Sequence, residues 1–140
     1  MRQLVLNLRR GRVELKEVPE PRLGSKGLLV QTIYSALSIG TVRQLLRLAK
    51  RSLIGKALER PDLVRQAIDF ARNEGILNAY REAMARLSEP IPLGYSSVGR
   101  VLAVGAEAQG FKEGDVVACG GEGYASHAEL TYVPRTLAVK

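Results

Sequence analysis

Along the first 40 residues apolar positions recur every second residue. Leu4, Leu6 and Leu8 alternate with polar neighbours, "RRGR" supplies a turn, and Val13 and Leu15 alternate again before Pro19 and Pro21. A period of two belongs to a strand with one face turned inward, so this stretch predicts a β-hairpin. After the turn "LGSKG" the run "LLVQTIYS", 28–35, is apolar with little alternation. Such a run suits a strand buried on both faces or a strand of a barrel.

Between 42 and 88 the spacing becomes helical. Val42, Leu45, Leu46, Ala49 and Leu53 form one apolar stripe, Leu63, Val64, Ala67, Ile68 and Ala71 a second, and Ile76, Tyr80, Met84 and Leu87 a third. Three short helices are predicted. Pro61 suits a first-turn position, Gly75 stops the second helix, and Pro90 ends the third. Period two returns after Pro92: "VGRVLAVG" and "DVVAC" flank the Gly-bounded loop "AEAQGFKEG", and "SHAELTYVP" and "LAVK" follow. Short, evenly spaced strands with a helical interruption predict a mainly β, α+β architecture. The expected form is a small β-barrel or strongly curved sheet with a three-helix insertion at about 42–88.

At 140 residues the chain is long enough for a single domain with a real core. Its one cysteine, Cys119, excludes an internal disulfide, and arginines interrupt the N-terminal apolar alternation before a signal-peptide core forms. A cytoplasmic setting is expected. No apolar run reaches the roughly 20 residues of a membrane helix, which argues against a membrane partner.

The net charge of +7 is concentrated in the helical block, where Arg43, Arg47, Lys50, Arg51, Lys56 and Arg60 are opposed nearby only by Glu59. Such a patch attracts a phosphorylated or nucleotide-linked sugar, or cofactor phosphates. Nucleic acid is the weaker partner, because the block lacks interleaved aromatics and any nucleic-acid-binding motif. A solvated helical face is the plainer reading.

Candidate chemistry is sparse. Tyr95 and Ser96 place two hydroxyls where a loop enters a strand, a position at which site residues gather. Cys119 ends "DVVAC" and reads as a buried, inert thiol. His127 alternates with Glu129 and Thr131, so Ala128, Leu130 and Tyr132 are expected to face the core and His127 the surface. In "CGGEGYAS", Gly121 and Gly123 have the first spacing of a dinucleotide fingerprint. Ser126 occupies the third glycine position, however, and a strand pattern follows where a helix should open. Gly99, Gly105 and Gly110 read as bends and turns.

In order and spacing, "LLVQTIYSALSIGT", "PLGYSSVGRVLAVGAEAQGFKEGDVVA" and "YASHAELTYVP" resemble the N-terminal GroES-like domain of medium-chain dehydrogenases/reductases, over roughly 1–41 and 90–140. The helical block followed by "PLGYS" looks more narrowly like the bi-domain oxidoreductases. In zinc alcohol dehydrogenases of the family, a cysteine follows the strand corresponding to 28–35, and Gly-His-Glu opens the strand corresponding to 98–104. Here Ser38 and Gly94-Tyr95-Ser96 stand in those places. A catalytic zinc takes about three thiolate, imidazole or carboxylate ligands, and a structural zinc lobe needs four cysteines, so neither zinc is expected.

The resemblance implies hydride transfer between a nicotinamide, NAD or NADP, and a small-molecule substrate. Without a metal the developing oxyanion must meet hydrogen-bond donors, and Tyr95, Ser38 and Thr41 are the candidates. The same hydroxyls also suit turn and strand capping. The family binds its cofactor with a downstream Rossmann domain, which this sequence lacks, so no cofactor on this chain and no activity by itself are expected. Family barrels also receive a returning C-terminal segment, which implies exposed apolar surface and self-association here. A second class of function stays open: a non-catalytic GroES-like module that docks a protein, an anionic sugar or nucleic acid through its basic helices.

Overall fold

The computed structural model describes residues 1–50 and 61–140. Leu53, Arg51, Lys56 and Arg60, named above in the first helical stripe and the cationic patch, lie outside the described residues. The predicted hairpin is present as β1 (Arg2–Asn7) and β2 (Arg12–Glu17). Its turn is held by Asn7, whose Oδ1 accepts a hydrogen bond from the Arg10 backbone at 3.0 Å. Further strands are β3 (Gly27–Ser35), β4 (Pro90–Pro92), β5 (Ser96–Val104), β6 (Val116–Gly120), β7 (Leu130–Pro134) and β8 (Ala138–Val139). They form a three-stranded sheet, β2-β1-β4, and a five-stranded sheet, β7-β3-β5-β6-β8, whose pairs are antiparallel.

The helices of the described residues are α1 (Ile39–Lys50), α2 (Pro61–Glu74) and α3 (Ile76–Ser88). Pro61 opens α2, where a missing N–H costs no helical bond, and Gly75, at φ +89°, ends it by donating its N–H to the Ala71 carbonyl. The mixed α+β architecture and the curled sheet are those the patterning predicts.

Contacts divide the chain into two units. The first comprises Met1–Val5, Glu14–Ile39 and Pro92–Lys140, the second Leu6–Val13 and Gly40–Ile91. The core of the first unit joins Leu28 and Val30 of β3, Val101 of β5, Val117 and Cys119 of β6 and Val133 of β7, with Ala108 and Ala125 from the loops. Each Val or Leu buried there contributes about 1.5–3 kcal/mol relative to exposure. In the second unit α2 packs on α3, and Leu6 and Ala79 are buried.

Several expectations are corrected. β3 is buried only in its first half: Leu28 and Val30 are inaccessible, whereas Ile33, Tyr34 and Ser35 are exposed. The register with β5 slips between Leu29 and Val30 and between Thr32 and Tyr34, and such bulges bend a strand away from one continuous face. Gly99 faces Thr32 inside this bend. A Cβ there would lie 2.5 Å from Val30 Cγ1 and collide with the Gln31 carbonyl oxygen, so only glycine lets the two strands approach so closely.

On β2, Val13 and Leu15 are exposed rather than inward. Ile68, Ile76 and Tyr80 are exposed likewise, and Ala79 is buried on α3 instead.

The alternation around His127 is shifted by one residue. Ala128, Thr131 and Val133 are buried, while Leu130 is partly exposed and Tyr132 lies over Gly24 and Gly27. Ala128 pairs with Gln3 before β7 begins, and its N–H bonds back to the Ser126 carbonyl at 2.9 Å. The bend at Glu129 that follows resets the phase.

Candidate functional site

The site is built where β3 ends and β5 begins. Ser35 pairs with Ser97 in register, and one residue further the Ala36 N–H donates to the Ser96 carbonyl at 2.9 Å. Ser38 follows this bond on the β3 segment and Tyr95 precedes it on the β5 segment. Ser38 stands directly before α1, the position where a hydroxyl caps a helix. Tyr95 is 42 % exposed, and its carbonyl accepts the Gly121 N–H at 2.8 Å. Thr41 is exposed in the first turn of α1, in the second unit.

A third segment of the chain enters the same place. The His127 N–H donates to the Leu93 carbonyl at 2.7 Å, the Leu93 N–H to the Leu4 carbonyl at 3.0 Å, and the Leu4 N–H to the His127 carbonyl at 2.9 Å. These bonds lock residue 127 against the Leu93–Gly94 turn. The imidazole lies on Gly94: a Cβ there would stand 3.0 Å from both Cγ and Nδ1 of the ring. Nδ1 sits 2.8 Å from Ser35 Oγ.

His127 is therefore half-buried and paired, not the free surface histidine the alternation implies, and burial pushes its pKa below the ordinary imidazole value. Sequence reasoning missed Ser35 as well. The two residues are 92 positions apart, and no periodic pattern links them.

Other groups do less. Cys119 is 4 % exposed, and burial raises its pKa while the facing Ser97 hydroxyl partly offsets this, as an inert thiol requires. Arg2 holds Glu129 through Nε and the backbone N–H at 2.7 and 2.8 Å. Arg43 and Arg47 are exposed on α1. Among the described residues no three His, Cys, Asp or Glu side chains converge as metal ligands.

The glycine turn at 121–124 lacks the helix that a dinucleotide fingerprint opens. Gly121 has φ +113°, but the space a Cβ would take is bounded by Leu137 Cδ1 at 2.8 Å, and β7 follows instead of a helix. No helix of the described residues is long and apolar enough to cross a membrane.

The curled five-stranded antiparallel sheet with its core between β3, β5, β6 and β7 defines a GroES-like fold of the kind carried by medium-chain dehydrogenases/reductases. No family model and no curated protein matches the sequence. Solved structures do match in fold. An alcohol dehydrogenase superfamily protein from Novosphingobium aromaticivorans superposes with a TM-score of 0.63 at 22% identity, over 100% of this chain and 34% of that one. Galactitol-1-phosphate dehydrogenase from Escherichia coli does so at 0.63 and 16%, over 99% and 37%. The quinone oxidoreductase of Escherichia coli, solved with NADPH, does so at 0.60 and 13%, over 99% and 32%. The chain thus spans about a third of the length of the structures it matches.

Proposed function

We propose that this chain is the substrate-side domain of a zinc-independent, NAD(P)-dependent oxidoreductase acting on a carbonyl or sugar-type substrate. The observation that carries the reading is the fold. The matched structures include dehydrogenases and an NADPH-bound reductase, and this chain corresponds to a third of each. The remaining length is where a Rossmann domain for NAD or NADP would belong, in keeping with a glycine turn here that no helix directly follows. On this reading the isolated chain is inactive, works in the cytoplasm and binds no nicotinamide.

Zinc independence rests on the donor set: Ser38 and Gly94-Tyr95-Ser96 replace the family's thiolate and imidazole positions, and the single thiol is buried. Tyr95 and Ser38, both in the first unit, then serve as hydrogen-bond donors to the substrate oxygen.

Calorimetric titration with NADH and NADPH, of this chain and of the longer polypeptide the reading requires, tests it. Binding by the longer polypeptide alone is expected. Tight binding by the isolated chain overturns the division of labour, and an unchanged hydride-transfer rate in Tyr95→Phe returns Tyr95 to a structural role.

A second reading, an anion-docking module, is favoured by the charge. The second unit holds 13 of the 21 Lys+Arg and 6 of the 14 Asp+Glu, so the whole +7 resides there and the first unit is neutral. Salt-sensitive binding of a polyanion by this chain, abolished by neutralising Arg43 and Arg47, would support it.

A further inference from the structure

The Ser35–His127 pair is not among the hydroxyl donors of the reading above, yet it is held from several sides within the first unit. Residue 127 is fixed at three points: its N–H on Leu93, its carbonyl on Leu4 and its ring nitrogen on Ser35. The turn that carries Tyr95 is glycine at 94, where a Cβ would stand 2.6 Å from the His127 backbone nitrogen and 3.0 Å from its ring. Among the described residues Nδ1 is satisfied by Ser35, and Nε2 has no hydrogen-bond partner. A half-buried imidazole held by one nitrogen, with the other free, is a preorganised contact for a ligand.

We infer that His127 binds the oxygen of a carbonyl or alcohol ligand through Nε2, with Ser35 as the residue that positions its ring. The inference rests on the oxidoreductase reading for the ligand class alone. The chemistry of the pair fits both members of such a couple. A hydroxyl both donates and accepts. When Ser35 O–H donates to Nδ1, the proton of the neutral ring is on Nε2, which then donates to a carbonyl oxygen. When Nδ1–H donates to Ser35 Oγ, Nε2 carries its lone pair and accepts from an alcohol O–H. Ser35 supports either tautomer without moving, so one site serves the oxidised and the reduced ligand.

The chain contains one histidine, so its ring nitrogens are read without ambiguity by ¹⁵N NMR. The probes are cyclohexanone and cyclohexanol, titrated into the chain above the histidine pKa. The ketone is expected to move the ring toward the Nε2–H tautomer and the alcohol toward Nδ1–H, with opposite ¹⁵N shifts. Ser35→Ala is expected to lose the response while the fold, read from the amide spectrum, persists. Ser35→Thr is expected to restore it.

Backbone amides near Ser38 and Tyr95 that respond while the ring does not would overturn the role of His127 and leave the oxidoreductase reading standing. A full response in Ser35→Ala would overturn the positioning role. No response anywhere would overturn the inference, and the oxidoreductase reading would then stand or fall on the nicotinamide titrations alone.

Discussion

A Cβ on Gly94 would lie 2.6 Å from the backbone nitrogen of His127, whose N–H is already committed to the Leu93 carbonyl at 2.7 Å. Gly94 also has φ +102°, a backbone region that L side chains rarely adopt. Both costs fall on one substitution. Gly94→Ala is expected to destabilise the chain by about 1–3 kcal/mol, the scale of a strained non-glycine residue, with the contact to residue 127 adding to it. In urea the midpoint should fall at unchanged slope. An unaltered midpoint would mean that the turn relaxes freely.

His127 also predicts a dependence on pH. Burial lowers its folded-state pKa relative to the unfolded chain, so the unfolded chain binds more protons in the interval between the two values. Stability contributed by the neutral ring is complete above the unfolded value, near 6.5, and is lost as pH falls toward the folded one. Thermal midpoints measured across that interval should decline more steeply in the parent chain than in His127→Gln. A parallel decline would show that the ring titrates as if exposed.

How these features were legible in the sequence differs by kind. The hairpin, the strands 28–35 and 98–104 and the three helices of the described residues follow from local periodicity, which the fold obeys because each element must bury one face. What periodicity could not give is the phase of a strand after an irregular turn. One bend at Glu129 separates the expected inward set, Leu130 and Tyr132, from the observed one, Thr131 and Val133. It could not give pairs such as Ser35 and His127 either, since antiparallel register sets them from far apart in the chain. The exposed Val13, Leu15, Ile76 and Tyr80 mark the same limit, because a stripe predicts an apolar face and not what covers it.

The Arg2–Glu129 pair ties β1 to the bend before β7. Two bonds from Arg2, through its backbone and its side chain, hold the Glu129 carboxyl below the usual carboxylate range. With the folded pKa depressed, the stabilisation is full above the unfolded glutamate value and disappears as pH drops through the folded one. Glu129→Gln should therefore be less stable than the parent at neutral pH, and the two should converge in acid. Both groups are exposed, so the difference is small and should shrink further with added salt. A difference insensitive to pH would assign the effect to the backbone bond alone.

Cys119 gives the test of the core. It lies in β6 opposite Ser97 of β5, 4 % exposed, and burial disfavours its thiolate more than the Ser97 hydroxyl favours it. Because the thiolate is the reacting species, a disulfide reagent should leave the native chain unmodified and react only through the unfolded fraction. Adding urea should therefore raise the modification rate in step with the unfolded fraction. Cys119→Ala removes one sulfur from the cluster of Val101, Val117 and Val133, and is expected to cost about 1 kcal/mol, the scale of deleting a single buried methyl-sized group. Rapid modification of the native chain would mean instead that β6 opens without global unfolding. The sheet edge formed by β6 and the two-residue β8 would then be the weak point of the fold.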